Sequence, residues 1–305
     1  MLGDILGLGS AIAFGANATV ARRGVLRASS NYIATVSIFT GPLFFLPIAF
    51  LTGDLSRMGQ TPLQAHFYLA LSGIVHFTIG RTWVYRSLQL IGSTRSYIVT
   101  SLYPIVSIVL AMLLLGESMK PLLALGILFS LSGPLLTLVK EETVESGAQS
   151  PINDQGVEVD RHTLWIGMAY GAGAALFWGS SAILIKLGLE KGGSPIGGSL
   201  IAYVAASLAV SPTLFKRENR NEILHADKES FRLALLSGLA ANIAQLLKYL
   251  ALDSGSVIVI TLLSRTTPLW VLLISYTFNR KLESFSRWVL LGNALLIIGT
   301  ILIMI

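Results

Sequence analysis

Three basic side chains stand inside long apolar runs: Arg81, Lys248 and Arg265. Arg265 is near the middle of its run; Arg81 and Lys248 lie about two turns and about one turn from an end. An ionised group at the centre of a membrane helix costs about 2.5–3.5 kcal/mol on insertion scales. It therefore faces a cavity or a partner, or it snorkels to the interface. The acids behave differently: Asp4, Glu117, Asp253 and Glu283 all stand at the ends of apolar runs. Proton-coupled export of a cation needs an intramembrane carboxylate that holds proton and cargo in turn, and no run contains one. Internal cations without internal acids imply a substrate that brings the negative charge. The expectation is an anionic or carboxylate-bearing molecule held by Arg265 with Arg81 and Lys248. A monoanion leaving a negative interior gains about 2.3 kcal/mol per 100 mV, which needs no proton. The alternative is a zwitterionic amino acid or neutral metabolite, with Arg265 then binding only a carboxylate.

The neighbours of these cations extend the candidate site. Helical spacing puts Ala241, Gln245 and Lys248 on one face, with Asn242 and Tyr249 beside them. It puts His76, Gly80 and Trp83 on another, with Arg81 and Tyr85 beside them. A polar stripe on a membrane helix points inward, to a cavity or to a hydrogen bond with the next helix. His76 has two readings, a proton relay or a simple interhelical hydrogen bond. Trp83, Tyr97, Tyr103, Trp178 and Trp270 could line the cavity, though ordinary packing or an interfacial belt fits any one of them better; Trp178, mid-run on a glycine-rich segment, is the favoured one. The four histidines lack HxxxH or HExxH spacing, GxSxG is absent, and there are no cysteines. No catalytic residue, metal or cofactor is expected, and a membrane-embedded enzyme or passive channel ranks behind a transporter.

The elements that position these residues follow from composition. The chain has 305 residues, 53% hydrophobic and 12% charged, with a mean hydropathy of +0.70. A soluble domain carries about 25% charged residues, so this chain uses lipid as solvent. Its net charge of +6 lies in short gaps between apolar runs, which points to membrane orientation and not to nucleic acid. A span needs about 20 apolar residues. Spans are predicted near 3–21, 32–52, 66–88, 93–115, 121–139, 164–188, 197–215, 230–252, 255–278 and 286–305. The first run carries Asp4 and no preceding basic residue, so it is a first span and not a signal peptide. The acidic stretch 140–163 divides a first unit, 1–139, from a second, 164–305; only 216–229 is a comparable linker.

The two units are copies. Shifting the sequence by 164 residues carries Gly3, Gly7, Gly9, Gly15 and Gly24 onto Gly167, Gly171, Gly173, Gly179 and Gly188. The same shift pairs Tyr85 with Tyr249, Leu88 with Leu252, and Pro104 with Pro268; a shift of 166 pairs Glu117 with Glu283. Five spans per copy is odd, so the second copy enters from the other side. The predicted fold is an all-α membrane protein of about ten transmembrane helices, built as two inverted five-helix repeats, the arrangement many carriers use for alternating access. Odd-numbered gaps hold 15 of the 22 Lys and Arg, even-numbered gaps 4. The positive-inside bias then places the chain in the cytoplasmic membrane with both termini outside. GxxxG at 3–7 and 167–171 lets helices approach closely. Pro104 and Pro268 are expected to kink spans four and nine and to act as hinges. Glu117 and Glu283 are expected to cap neighbouring helices. The apolar outer walls also suit a homodimer.

The segment YRSLQLIGSTRSYIVTSLYPIVSIVLAMLLLGES (85–118) resembles the fourth-helix signature of EamA-type transporters in the drug/metabolite transporter superfamily. That signature has an aromatic and Leu near the end of helix three, a small-residue step, a mid-helix Pro, and Gly-Glu after an apolar run. The second copy, 249–284, keeps Tyr249, Leu252, Gly255 and Pro268 but has Arg280-Lys281 where Gly-Glu falls in the first. Phe14-Gly15 and Trp178-Gly179 in the first helices also fit. The resemblance covers nearly the whole chain. It implies ten helices, export or exchange of a small metabolite, and a central cavity between the halves.

Overall fold

The computed structural model describes residues 1–25, 27–84, 86–87, 90, 99–100, 102–118 and 161–278, with scattered positions in 124–132 and 291–299. The linker at 140–160, most of spans five and ten, the start of span four and Tyr85 lie outside these residues. Every regular element among the described residues is helical. The helices are α1 (Leu2–Val25), α2 (Ser30–Leu51), the short α3 (Asp54–Met58), α4 (Leu63–Gly73), α5 (Tyr103–Leu114), α6 (Arg161–Glu190), α7 (Pro195–Val210), α8 (Arg217–His225), α9 (Lys228–Ser254), α10 (Val257–Leu263) and α11 (Thr267–Phe278). A π-helical stretch, Ile74–Gly80, continues α4. Short 3₁₀ turns follow α7 and separate α10 from α11.

Among the described residues, five helices are long and apolar enough to cross a membrane: Leu2–Ala21, Asn31–Leu51, Arg161–Glu190, Pro195–Phe215 and Lys228–Ser254. Their outer faces carry exposed Leu43, Phe50, Trp165 and Leu208, apolar surface that lipid can cover. Their ends carry polar caps where backbone N–H groups lose helical partners. Ser29 Oγ accepts from Tyr32 N–H at 3.1 Å, Ser194 Oγ from Gly197 N–H at 3.1 Å, and Asp227 Oδ1 from Glu229 and Ser230 N–H, both at 3.0 Å.

The packing follows the repeat. The 164-residue shift carries α1 onto α6, α2 onto α7, α4 onto α9, and α5 onto α11. The main contact of α1 is with α9, and that of α6 is with α4; α2 packs on α9 as α4 packs on α7; α1 meets α11 as α6 meets α5. Each copy therefore packs its first helix on the third and fourth helices of the other. The glycines explain how closely. A Cβ on Gly15 would sit 2.7 Å from Trp270 Cβ, and one on Gly179 would sit 2.6 Å from Val106 Cβ. Val106 and Trp270 are themselves equivalent under the shift.

Two readings of the sequence are corrected. Pro104 and Pro268 do not kink continuous spans: each is the second residue of a helix, α5 and α11. Spans four and nine are interrupted just before them, by a turn at Leu102 and by the 3₁₀ turn Ser264–Thr266. Proline fits a first turn because no intrahelical N–H bond is needed there. Among the described residues, the prolines inside a long helix are Pro42 and Pro47 of α2. The stretch 216–229, read as a linker, contains α8, tied to α2 by Glu222, whose carboxylate accepts from Ser29 N–H at 2.8 Å and Ser29 Oγ at 2.6 Å. Lys186, within the predicted sixth span, lies in α6 and donates to Leu252 O at 2.9 Å and Gly255 O at 3.3 Å.

Candidate functional site

The site begins at the π-helical stretch. A π-turn shifts the backbone register and leaves a carbonyl without its usual helical partner. Here His76 O accepts the indole N–H of Trp178 at 3.2 Å. Gly80, one π-turn further on, makes room: a Cβ there would lie 2.6 Å from the Trp178 ring. The indole is thereby held parallel to the His76 imidazole, with centroids 6.0 Å apart and planes 26° from parallel. The imidazole is held at both nitrogens, Nδ1 by Ser181 Oγ at 2.9 Å and Nε2 by Gln245 Nε2 at 3.4 Å. Helices α4, α6 and α9 thus converge on one ring.

From Trp178 the wall continues to α5 and the break between α10 and α11. Tyr103 stands edge-on to Trp178 at 6.4 Å, and the Arg265 guanidinium lies over the Tyr103 ring at 5.8 Å. Both residues sit at the interruptions of spans four and nine. Arg265 is 8% exposed, and its Nε has no hydrogen-bond partner among the described residues. A buried guanidinium N–H without an acceptor is costly, and an oxyanion satisfies it well because the guanidinium fork matches carboxylate geometry.

A second cluster lies on the α2 side. Arg81 Nη1 donates to Ser37 Oγ at 3.1 Å and to Ala34 O at 3.4 Å, and its guanidinium lies over Phe77 at 5.7 Å. Asn242 Nδ2 donates to Thr40 Oγ1 at 3.2 Å, while its Oδ1 is buried without a partner among the described residues. Phe77 meets His76 edge-on at 4.8 Å. Rings therefore run without interruption from Arg265 through Tyr103, Trp178, His76 and Phe77 to Arg81. Lys248 lies within electrostatic reach of His76, as does Arg81. None of Arg81, Lys248 and Arg265 forms a salt bridge among the described residues.

Of the residues expected from sequence, His76, Trp178, Gln245 and Arg265 form one group, and Arg81 and Asn242 the adjoining one. Tyr249 stands apart: it is buried in the core, with its hydroxyl 3.2 Å from Ser72 Oγ across the α4–α9 contact. Trp83 is packing, set edge-on against Tyr170 and Phe177. Sequence reading missed Ser181, which follows Trp178 by three residues on a glycine-rich helix, and Ser37 and Thr40, which give α2 its polar face. It also left Tyr103 among the packing aromatics.

Comparison with known proteins agrees with this architecture. A family model described as the EamA-like transporter family matches residues 1–139 and 165–305. Among curated proteins none matches. One solved crystal structure has the same fold, with a TM-score of 0.75 and 15% identity over 98% of this chain and 94% of that one. At that identity the likeness concerns the fold alone.

Proposed function

The chain belongs to the EamA-like transporter family, and from that premise we propose that it is a secondary exporter of a small anionic or carboxylate-bearing metabolite. In this reading ten spans form two inverted five-helix repeats in the cytoplasmic membrane, with both termini outside. The substrate binds in a basic central cavity that opens to each side in turn as the repeats rock. The helix breaks at Leu102 and Ser264–Thr266 put backbone irregularity at membrane depth, which is tolerated where it lines a cavity or is buried in protein.

The observation that carries this reading is Arg265: a buried cation at a helix break, with no acid paired to it and an unpartnered Nε among the described residues. Arg265 binds the anionic group. Arg81 and Lys248 add positive potential, and Gln245 and Asn242 supply neutral hydrogen bonds. A thermal-shift screen of the detergent-purified protein at low ionic strength tests it, since a ligand that binds only the folded state stabilises by RT ln(1 + [L]/Kd). One class of anionic metabolite is expected to stabilise the wild type and not Arg265→Gln. Stabilisation by cations, or equally by anions in the variant, removes the anion reading.

A further inference from the structure

The hydrogen bonds around His76 favour one place for its proton. Ser181 Oγ lies 2.8 Å from Trp178 O. A carbonyl cannot donate, so the single Ser181 hydroxyl proton is spent there. Ser181 Oγ can then only accept from His76, and at 2.9 Å the imidazole must present Nδ1–H. On the other side, Gln245 Nε2 is a donor 3.4 Å from His76 Nε2, which suits a bare nitrogen. The arrangement describes a neutral Nδ1–H imidazole whose one open lone pair, on Nε2, points at an amide.

That amide can turn. If Gln245 rotates by half a turn about its last side-chain bond, its Oε1 replaces Nε2 and accepts a proton newly placed on His76 Nε2. The Nδ1 side needs no change. His76 therefore has a hydrogen-bonded place for a second proton, and occupying it costs one side-chain rotation. Among the described residues, the charged groups within reach of His76 are Lys248 on α9 and Arg81 on its own helix, both cations. α6 presents Trp178 and Ser181, which do not titrate near neutral pH. The phenols on the helices packed around it (Tyr103 on α5, Tyr203 on α7, Tyr249 on α9) carry no charge at neutral pH. No carboxylate among the described residues offsets a third positive charge at this point. An anion bound at Arg265 would.

We propose that His76 is a proton-binding site coupled to the substrate: with the site empty it is the neutral Nδ1–H tautomer, and on anion binding Nε2 takes a proton from water, so that one proton crosses with each anion. This rests on the anion-carrier reading above. The step forms one N–H bond and breaks one O–H bond of hydronium or water on the loading side; the reverse occurs on release. It also changes an expectation. A monoanion moved with one proton carries no net charge, so the membrane potential does not drive the flux: export runs down the substrate gradient and against any inward proton gradient.

The test uses the full chain in liposomes with benzenesulfonate, methanesulfonate and sulfate as probes. These anions do not carry protons at neutral pH, so any proton that moves with them is carried by the protein. In the wild type, saturable sulfonate uptake with about one proton per anion is expected, with a rate insensitive to an imposed potential. In His76→Gln the ratio of protons to anions falls to zero, whatever rate remains. Proton-free sulfonate uptake by the wild type, or an unchanged ratio in His76→Gln, overturns the proposal and leaves the carrier reading standing. No saturable uptake of any of the three probes removes the carrier reading, and this proposal with it. An arm that needs no transport is nitrogen NMR of histidine-labelled protein, in which His76 is one of four signals. Protonated Nδ1 with bare Nε2 is expected without anion, and both nitrogens protonated with benzenesulfonate; an Nε2–H tautomer in the empty protein overturns the proposal.

Discussion

The Glu117 carboxylate closes the N-terminus of α10: Oε1 accepts from Val257 N–H at 2.7 Å, and Oε2 from Ile258 N–H at 3.0 Å and Ser256 Oγ at 2.7 Å. The same short turn is held from the other side, where the Lys186 ammonium donates to carbonyls at the C-terminal end of α9. Each charge complements the helix end it meets. Glu117 belongs to the first repeat and Lys186 to the second, so both copies grip one connection.

Removing this cap should cost stability more than transport selectivity. Hydrogen bonds to a charged group contribute about 1.5–3 kcal/mol, and loss of an N-cap typically costs about 1 kcal/mol. Glu117→Ala is expected to destabilise the detergent-solubilised protein by about 2 kcal/mol, with Glu117→Gln in between. Equilibrium unfolding reads the difference. Equal stability of Glu117→Ala and wild type would contradict the role assigned to the carboxylate.

The glycine contacts make a second prediction. A methyl group at Gly179 would meet Val106 Cβ at 2.6 Å and Tyr103 O at 2.7 Å; one at Gly15 would meet Trp270 Cβ at 2.7 Å. Overpacking of this kind costs about 1–3 kcal/mol. Gly179→Ala and Gly15→Ala should each lower stability by that order. Val106→Ala keeps the Cβ but removes the Cγ1 that the new methyl would meet at 2.8 Å, so it should recover part of the Gly179→Ala loss and none of the Gly15→Ala loss. Stability of the four proteins by thermal unfolding separates these cases.

These glycines also mark what the sequence could disclose. A small residue where two backbones meet, as at Gly3 and Gly15, is required at that position itself, and the pattern Gly3, Gly7, Gly9, Gly15, Gly24 recurs in the second copy and can be read without a structure. The Glu117 cap was legible for a similar reason: an acid at the end of an apolar run has few other uses. The break at Arg265 was not. The stretch LLSRTTPL contains no glycine to announce it, and proline suits a kink and a first turn equally well. The partners of His76 are 105 and 169 residues away, a distance that no local pattern spans.

Outside the membrane, Asp227 gives a pH-dependent element. Its carboxylate accepts from the Ser230 hydroxyl at 2.6 Å and from two backbone amides. The Ser230 hydrogen bonds, the hydroxyl first, hold its pKa below the ordinary carboxylate value. Because the folded value is lowered, the cap's contribution is complete above the unfolded pKa and is lost as pH falls through the folded one. Protection of the Glu229 and Ser230 amides, measured against their intrinsic exchange rates, should be high at neutral pH and fall below about pH 4. In Asp227→Ser, a neutral cap, the acid-induced loss should vanish. Persistence of that loss in Asp227→Ser would assign it elsewhere.

The central claim, a carrier that binds an anion at Arg265, is met most directly by counterflow. Purified protein is reconstituted in liposomes loaded with an anionic metabolite found to stabilise it, and entry of the labelled anion against unlabelled internal anion is measured. A carrier that alternates access exchanges one for the other, so entry should saturate, accelerate with internal anion, and fall at least tenfold in Arg265→Gln. Entry that rises linearly with concentration and ignores internal anion, or that is unchanged in Arg265→Gln, would contradict it.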